Sequence, residues 1–398
     1  MMVWRFLSLA LLLTISFANI NGINSECKIP LTSSHMFLVQ VPLVFQQNGE
    51  LYPTTYNEKV QQIEMNIKNN EEVMFSCGPN YLRNFMKKEV LNVKCNGETG
   101  NFSVVANPEQ EMSIKMYSCD LRVIEEVLIP VEGCTNEKWT SVNFGYVDPN
   151  EKLTYVLGSA CYDMNEARTI FAHVKMGKTG SNILQKLDKN YLVTNQHPDG
   201  RYKIELLRSL NFDEIYENIR THLNTSPPPM GIQHFIDESL LSSSQFQAVK
   251  KLSWNYYIGP EKLDALDSLK QDIRHLSEGI NIDLYVGSHG VNFINGKNGH
   301  KLKIYLRSHQ RFPMPELIWF VVKYQNRATA FGVYNDLIEG NINREHETAI
   351  CQSECEKITW LSDANKRNRK SLVCCSYADL KKVVNKVPNL DDVTDMLL

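Results

Sequence analysis

The sequence predicts an α+β protein in two parts: a small β-rich module stapled by disulfides over residues 19–165, and a larger α+β domain over residues 166–398. The cysteine distribution is the first observation behind this division, because cysteines are dense from 27 to 161, absent from 162 to 350 and dense again from 351 to 375. The second is a change of hydrophobic period, from short alternating runs to a mixture of helical and strand periods. A long cysteine-free stretch of mixed period indicates a domain with a conventional hydrophobic core.

The first element is a predicted signal peptide at residues 1–18. Arg5 is the only charged residue among the first 25, and a predominantly apolar run extends from Phe6 to Phe17. Small residues at positions that suit cleavage, Ser16 and Ala18, close the segment. The run is shorter than the ~20 apolar residues that a bilayer span needs, so secretion is favoured over a retained anchor. No later segment is long and apolar enough to span a bilayer, so we expect a secreted, soluble chain with no membrane association.

All ten cysteines follow the predicted signal peptide, and an even number of cysteines in a secreted chain predicts a disulfide framework. The spacing does not determine which cysteines pair. A zinc site is the alternative for Cys351, Cys355, Cys374 and Cys375, but adjacent cysteines suit tetrahedral coordination poorly and the expected compartment is oxidising. Two Asn-x-Ser/Thr sequons predict N-glycosylation, at Asn101 and Asn224.

Hydrophobic periodicity places the main secondary-structure elements. Alternating apolar and polar residues predict short strands over 36–45 and 102–106 in the first part. Apolar residues at helical spacing predict helices over 211–223 and 261–276 in the second. Four further strands are predicted after the second helix, over 282–286, 302–306, 317–322 and 329–334. Strands in a sheet around a few helices are typical of the α+β class.

Charge is distributed unevenly along the chain, although the net charge of the whole is only −3. Residues 19–165 have 11 basic and 18 acidic side chains, whereas residues 166–398 have 30 basic and 27 acidic ones. A polyanionic partner is therefore expected to meet the C-terminal part.

Several motifs of the second part resemble those of the secreted, arthropod DNA/RNA non-specific endonucleases. They are a helix ending in Ile273-Arg274, the strand and turn Asp283–Val291, the run Ile304–Leu306, the strand Phe312–Val322, and a cysteine-rich tail with Trp360 between its cysteine pairs. The resemblance extends to the nuclease-like salivary proteins of blood-feeding flies, such as the Tsal proteins of tsetse flies. It implies a ββα-metal endonuclease-like domain with a central antiparallel sheet.

The catalytic base is the first site residue that the resemblance implies. In that family a histidine in an Arg-Gly-His turn deprotonates the attacking water. The matching residue here is His234, but Ile232 and Gln233 stand where the family has the arginine and the glycine. Isoleucine cannot donate to a phosphate, and glutamine disfavours a glycine-like turn. Without the resemblance, His234 would be interpreted as an ordinary loop residue.

The metal site is the second implied feature. The family holds Mg²⁺ with an asparagine, and the hydrated metal offsets the charge that develops on phosphorus and the leaving oxygen. Asn255 is the candidate ligand, with Ser253 as the alternative when the alignment is anchored on the following helix. The same anchoring places Lys270 at the family's glutamate and matches Arg274 to its arginine. We therefore expect a retained scaffold with lost or residual hydrolysis.

A basic stretch is the feature that points to nucleic acid. No acidic residue occurs from Leu284 to Pro315. The same stretch contains the predicted nucleic-acid contacts, Lys297, Lys301, Lys303, Arg307 and Arg311. Strand alternation predicts one basic face and one buried face over residues 301–306. Nearby aromatic residues are predicted to stack on unpaired bases, namely Trp254, Tyr256 and Tyr257. The alternative is that the lysines are only a solvated face and the aromatic residues belong to the core.

These patterns predict a secreted protein that binds DNA or RNA without sequence preference. An active Mg²⁺-dependent endonuclease using His234 and Asn255 is one alternative. A salivary protein that binds a host protein through its acidic N-terminal part is another. A second basic cluster at 366–370 is either part of the binding surface or an exposed loop. The sequence leaves the oligomeric state open.

Overall fold

The structure is a computed structural model of the whole chain. It describes residues 26–30, 41–48, 52–53, 55–57, 62–77, 81–85, 88, 90–120, 124–127, 134, 139–147, 152–163, 165–177, 185–192, 216–217, 220–221, 229–237, 239–240, 255–295, 301–307, 311–335, 350–367 and 371–398. The predicted signal peptide, Asn224, Trp254, Lys297 and most of the predicted helix 211–223 lie outside these ranges.

The N-terminal part consists of two antiparallel sheets. Its strands are β1 (Glu26–Pro30), β2 (Leu43–Phe45), β3 (Thr55–Asn57), β4 (Gln62–Lys68), β5 (Glu72–Ser76), β6 (Val90–Asn96), β7 (Asn101–Val104) and β8 (Asn107–Met112). One sheet has the order β1-β4-β3 and the other β2-β5-β6-β7-β8. The disulfide Cys27–Cys95 joins β1 to β6 and so links the two sheets, while Cys77–Cys119 ties the end of β5 to a later loop.

An aromatic cluster fills the core of this part. The Tyr117 ring stacks on Phe85 with centroids 5.0 Å apart and meets Phe75 edge-on at 5.2 Å. Its hydroxyl donates to the backbone oxygen of Phe102 at 2.7 Å, which satisfies the one polar atom of a fully buried side chain. The combination of ring packing and a satisfied hydroxyl stabilises a small domain beyond what its disulfides supply.

The rest of the chain is built mainly from strands. They are β9 (Ile124–Val127), β10 (Trp139–Val147), β11 (Lys152–Asp163), β12 (Arg168–Met176), β13 (Gln185–Leu192), β14 (Met230–His234), β15 (Tyr256–Pro260), β16 (Ile282–His289), β17 (Phe293–Asn295), β18 (Lys301–Lys303), β19 (Tyr305–Arg307), β20 (Arg311–Pro313), β21 (Leu317–Tyr324), β22 (Arg327–Tyr334) and β23 (Leu372–Ser376). The named α-helices are α1 (Asp264–Gly279), α2 (Asp363–Arg367) and α3 (Tyr377–Val383). The described chain is thus mostly β-sheet with few helices.

A nine-stranded sheet forms the centre of this region. Its order is β23-β22-β21-β16-β12-β11-β10-β9, with β13 also paired to β11. All the described pairings in this sheet are antiparallel, so the predicted antiparallel sheet is present. Strand β21 is buried over its first six residues, as expected of a strand covered on both faces. Buried residues of α1 pack against one face, and α3 with the C-terminal segment packs against the other.

One glycine of the sheet is required by a close approach. Gly287 on β16 lies opposite Trp319 on β21, and a Cβ added at Gly287 would come within 2.5 Å of the Trp319 ring. The same Cβ would lie 2.3 Å from the backbone oxygen of Ile170 on β12. Since real Cβ atoms do not come this close, only glycine allows the three strands to pack around a fully buried tryptophan.

The sheet differs from the predicted domain division. The predicted boundary between residues 165 and 166 falls in the turn between β11 and β12, which are neighbours in the nine-stranded sheet. Strands β9 to β11 therefore belong with the later strands, and the hydrogen-bonded sheets divide the chain between Met112 and Ile124. The disulfide Cys134–Cys161 lies on the C-terminal side of that division.

Most predicted elements of the second part are present with shifted ends. The helix predicted over 261–276 is α1, and the strands predicted over 282–286, 317–322 and 329–334 are β16, β21 and β22. The strand predicted over 302–306 is interrupted at Ile304 and divides into β18 and β19, which have different partners.

The C-terminal cysteines form two disulfides, so the zinc alternative is not what the structure shows. Cys351 pairs with Cys375 and Cys355 with Cys374. Both bonds join the 351–355 segment to β23 at the edge of the large sheet. None of the ten cysteines is free.

Candidate active site and nucleic-acid interface

The candidate catalytic residues lie on an antiparallel strand pair that is followed by a helix. Strand β14 pairs with β15, with His234 opposite Tyr256. Helix α1 begins four positions after β15 ends, and its buried side packs against the same core. A lysine of α1 reaches back to the end of β14. This arrangement brings His234, Asn255 and Lys270 into one neighbourhood.

His234, the candidate base, is half-buried at the end of β14. Its ring meets the Tyr256 ring edge-on, with centroids 5.2 Å apart. Its backbone oxygen accepts a hydrogen bond from the Lys270 ammonium at 2.9 Å. The catalytic role of His234 stays a prediction, because these contacts position the residue without identifying a proton that it removes.

Asn255, the candidate metal ligand, is fully buried and hydrogen-bonded to the protein itself. Its Oδ1 accepts from the backbone nitrogen of Ile236 at 2.9 Å, and its Nδ2 donates to the backbone oxygen of the same residue at 2.8 Å. The backbone oxygen of Asn255 also accepts from the nitrogen of Phe235 at 3.3 Å. The side chain thus holds the loop after β14 as a backbone partner would.

Lys270 is the second buried polar group of the neighbourhood, with a side chain only 2 % exposed. Its ammonium forms an ion pair and hydrogen bond with the Asp237 carboxylate, in addition to the bond to His234. Asp237 also accepts from the backbone nitrogen of Ser239 at 3.0 Å and from the hydroxyl of that residue. A buried ammonium needs such partners, because an unpaired one would cost several kcal/mol in desolvation.

The ion pair determines the electrostatics around it. Burial alone would raise the pKa of Asp237, but the Lys270 charge and the hydrogen bonds from Lys270 and Ser239 together lower it below the ordinary value. Burial first, and then the nearby carboxylates of Asp237 and Asp267, raise the pKa of Tyr257 well above its usual range. Near neutral pH the carboxylate of Asp237 is therefore ionised and the hydroxyl of Tyr257 is neutral.

Arg274 lies one helical turn after Lys270 on α1. Its Nε is 3.8 Å from the Glu278 carboxylate, and the side chain is 22 % exposed. Its backbone oxygen accepts from the Ser277 hydroxyl at 2.7 Å. The guanidinium is accessible enough to meet a ligand, but its catalytic role stays a prediction.

The residues present do not fit the Mg²⁺ that the resemblance implies. The Asn255 oxygen is already used by a backbone N–H, and the Lys270 ammonium occupies the oxygen atoms of His234 and Asp237. Within the described part of the chain, no three His, Cys, Asp or Glu side chains are grouped so that they would hold a metal ion. A positive charge beside the remaining oxygen atoms repels a divalent cation.

The predicted basic face is present in part. Lys301 and Lys303 are exposed on β18, which pairs with β17, and the Lys301 ammonium lies 4.3 Å from the centroid of the Phe293 ring. Arg307 and Arg311 are opposite each other in the β19–β20 pair, although the structure does not describe their side chains. Lys297 lies outside the described residues.

The buried face of this stretch was predicted incorrectly at one position. Ile304 and Leu306 are buried as expected, but Leu302 is 39 % exposed. The reason is that β18 belongs to a separate two-stranded pair, so the alternation of one continuous strand does not apply across Ile304. All three residues of β18 are exposed, which gives a short ribbon with two lysines.

The tyrosines predicted to stack on bases belong to the core. Tyr256 is 8 % and Tyr257 is 7 % exposed. Tyr257 packs against Phe235 with ring centroids 5.1 Å apart. Stacking with an unpaired base requires an accessible ring face, so the prediction for these two residues is wrong.

A cleft beside the β14–β15 pair was not predicted. It is lined by Tyr162, Ala167, Arg168, Ile232, Tyr256, Tyr257, Ile258, Ser288, Leu306, Phe312, Pro313 and Pro315. Ala167 and Phe312 in its wall have φ angles of 54° and 53°, and the Phe312 nitrogen donates to the backbone oxygen of Glu166 at 3.0 Å. No sequence signal marks this cleft, because it forms between strands of the large sheet and the two strand pairs β14–β15 and β19–β20.

Two other predicted sites lie on other elements of the structure. Asn101 begins β7 in the N-terminal five-stranded sheet and is partly exposed, which leaves glycosylation as a prediction. Lys366 and Arg367 end the short helix α2, and Arg369 and Lys370 lie outside the described residues. Asp237 and Ser239 were missed by the sequence analysis, although Asp237 follows the candidate base by three residues.

Comparison with known proteins leaves the family open. No protein-family model matches the sequence, and no curated protein matches it. Among solved structures the chain is similar to the crystal structure of the EndoG/EndoGI complex, with 10 % sequence identity and a TM-score of 0.34. That match covers 61 % of this chain and 88 % of the other. A likeness at this TM-score does not establish a shared fold.

Proposed function

We propose that this protein is secreted and binds DNA or RNA without sequence preference, on an endonuclease-like scaffold with little or no hydrolytic activity. Secretion rests on the predicted signal peptide and is supported by the five disulfides, which form and persist in oxidising compartments. Of the helices that the structure describes, none combines the length and apolarity that a membrane span requires.

The observation that carries the proposal is the exposed lysine ribbon of β18. Lys301 and Lys303 are exposed there, in a stretch of chain without acidic residues. Lysines contact phosphates without reading bases, so such a ribbon favours binding that is independent of sequence and sensitive to salt. The predicted contacts at Arg307 and Arg311 follow in the next strand pair.

The proposed lack of hydrolysis is supported by what surrounds His234. The candidate metal ligand is engaged with the backbone of Ile236, and the lysine of α1 holds the oxygen atoms next to the candidate base. Removing one group that stabilises a transition state typically lowers turnover by about 10²–10³-fold. An Mg²⁺-dependent nuclease using His234 and Asn255 requires these groups to be released, and it is therefore the less favoured alternative.

The experiment is a titration of labelled double-stranded DNA and of single-stranded RNA with the purified protein, in Mg²⁺ and separately in EDTA. Native gels report binding and denaturing gels report cleavage. We expect a shift with intact strands in both buffers, and a binding constant that falls steeply with salt. A salt-insensitive shift, or no shift with either nucleic acid, contradicts the proposed binding.

A matched pair of charge-reversal variants locates the binding surface. Lys301→Glu/Lys303→Glu is expected to weaken binding and to reduce the slope of log K against log [salt] by about 2, one for each lost phosphate contact. Lys88→Glu/Lys115→Glu makes the same charge change at exposed residues of the N-terminal part and is expected to leave the slope unchanged. Equal effects of the two variants would mean that only net charge matters.

Cleavage has its own control. If strands are cut in Mg²⁺, the variant His234→Ala decides whether the cut belongs to this site. Cleavage that persists at full rate in His234→Ala indicates a contaminating nuclease. Cleavage that disappears with His234 establishes the alternative function and refutes the proposed inactivity.

A further inference from the structure

The Lys270 ammonium is surrounded by oxygen atoms. Its two close partners are the backbone oxygen of His234, at 2.9 Å, and the Asp237 carboxylate. Asp267, one turn earlier on α1, is near enough to both charges for its pKa to respond to them. The other described contacts of Asp237 come from Ser239. The set therefore offers carboxylate, carbonyl and hydroxyl oxygens, which are the donors that hard cations prefer.

A cation at this position is required by the fold around it. The end of β14 and the loop that directly follows it, from His234 to Asp237, turn oxygen atoms towards one point beneath α1. With the lysine removed, the Asp237 carboxylate would lose its counter-ion and the main cause that holds its pKa below the ordinary value. A partly buried charge without a partner is strongly destabilising.

We propose that Lys270 is the built-in cation of this site, in place of a dissociable one, and that the site binds a small hard cation from solution when the lysine side chain is cut back. The residues present do not fit the implied Mg²⁺, because the Lys270 ammonium, which is covalently part of the chain, already supplies the positive charge. This inference does not depend on nucleic-acid binding, because it concerns only the internal charge balance beneath α1.

If Lys270 fills the site, the wild-type protein does not need a dissociable cation there. The wild-type site is already filled, so its stability is expected to be the same in EDTA and in millimolar divalent cation. The truncated side chain of Lys270→Ala removes three methylenes and the ammonium. The space that they leave lies next to Asp237, whose side chain is 26 % exposed and provides a route from solvent.

The experiment measures thermal unfolding of the full chain with intact disulfides. Wild type, Lys270→Ala, Lys270→Ala/Asp237→Asn and the control Lys262→Ala, which alters an exposed lysine just before α1, are each titrated with MgCl₂, CaCl₂ and ethylammonium chloride. Ionic strength is held constant with NaCl. Ethylammonium has the shape of the removed end of lysine, whereas the metals test for a site that prefers divalent charge.

We expect Lys270→Ala to unfold at a lower temperature than wild type. At least one of the three cations is expected to raise the melting temperature of Lys270→Ala by about 5 °C, with an effect that saturates as the cation concentration rises. Wild type and Lys262→Ala are expected to show no saturable rise, and the double variant is expected to lose the response. If Lys270→Ala does not fold in NaCl alone, recovery of folded protein on refolding with each cation replaces the melting temperature. Absence of any cation-specific gain in Lys270→Ala, by melting or by refolding, overturns the proposal, as does an undiminished gain in the double variant.

Discussion

Substitution of Asn255 by alanine separates a structural role for this residue from the predicted metal role. The wild-type side chain satisfies both the N–H and the C=O of Ile236, a residue that is itself fully buried. Alanine removes both partners and offers none. Each buried backbone group left without a partner costs about 1–3 kcal/mol, so we expect Asn255→Ala to lower the free energy of unfolding by about 4 kcal/mol.

The assay is urea unfolding followed by tryptophan fluorescence, which reports on Trp319 in the centre of the nine-stranded sheet. Unfolding is measured in EDTA and again in Mg²⁺. The structural role predicts the same loss in both buffers, because the lost partners are backbone groups. A metal role predicts a small loss in EDTA that grows as Mg²⁺ is added, since a ligand stabilises only the state that binds it.

Two further variants sharpen the comparison. Asn255→Asp keeps an acceptor for the Ile236 N–H but cannot donate to its carbonyl, and it adds a buried charge, so its loss is expected to be at least as large as that of alanine. Asn107→Ala, at an exposed asparagine of β8, is expected to change stability by less than about 0.5 kcal/mol. A loss below about 1 kcal/mol for Asn255→Ala would refute the assignment of these hydrogen bonds.

Two predictions concern charged groups elsewhere in the sheet region. Burial would raise the pKa of Asp283, but the hydrogen bond with His173 at 2.7 Å and the nearby cationic groups lower it below the ordinary value. The ionised Asp283 therefore stabilises the folded protein above the ordinary carboxyl pKa of about 4. This stabilisation is lost as the pH falls through the folded-state pKa. Asp283→Asn is therefore expected to destabilise the protein at pH 7, and the difference from wild type is expected to shrink as the pH falls below about 4. A difference in unfolding free energy that is independent of pH would contradict this. Asp272 accepts from the backbone and hydroxyl of Ser362 and from Asn365, so Asp272→Ala is expected to cost about 2–4 kcal/mol in urea unfolding by freeing α2 from α1. A loss within experimental error would show that these bonds exchange freely with water.

Local pattern predicted the elements whose side chains follow one period without interruption. The apolar stripe of α1 and the continuous apolar run of β21 are examples, because helical spacing and full burial each leave a clear mark on the sequence. The prediction of one continuous strand over 302–306 was wrong. Its alternation was regular, but the chain changes partners at Ile304, and no local pattern records a change of partner.

Long-range pairing could not be predicted from the sequence. The domain boundary at residue 165 rested on cysteine density, yet the strands on either side of it hydrogen-bond to each other in one sheet. Disulfide spacing reports which loops are closed and does not report which strands are neighbours. The partner of Lys270 was missed for a similar reason, since Asp237 is 33 residues away and becomes its neighbour only when β14, β15 and α1 pack together.

The buried polar groups of Asn255 and Lys270, next to His234, have hydrogen-bond partners within the protein. The Asn255 side chain is hydrogen-bonded to the backbone of Ile236. The Lys270 ammonium donates to the Asp237 carboxylate and to the backbone oxygen of His234. Groups that catalyse a reaction must instead direct donors or charge at the reacting atoms, and they commonly pay for this in stability. Here Asn255 and Lys270 are bonded within the fold, and in the proposal made above the lysine takes the place of a bound cation. Under the proposed function, hydrolysis at this site would require a released asparagine and a replaced lysine together, because either change alone leaves a buried charge or a pair of backbone groups without partners.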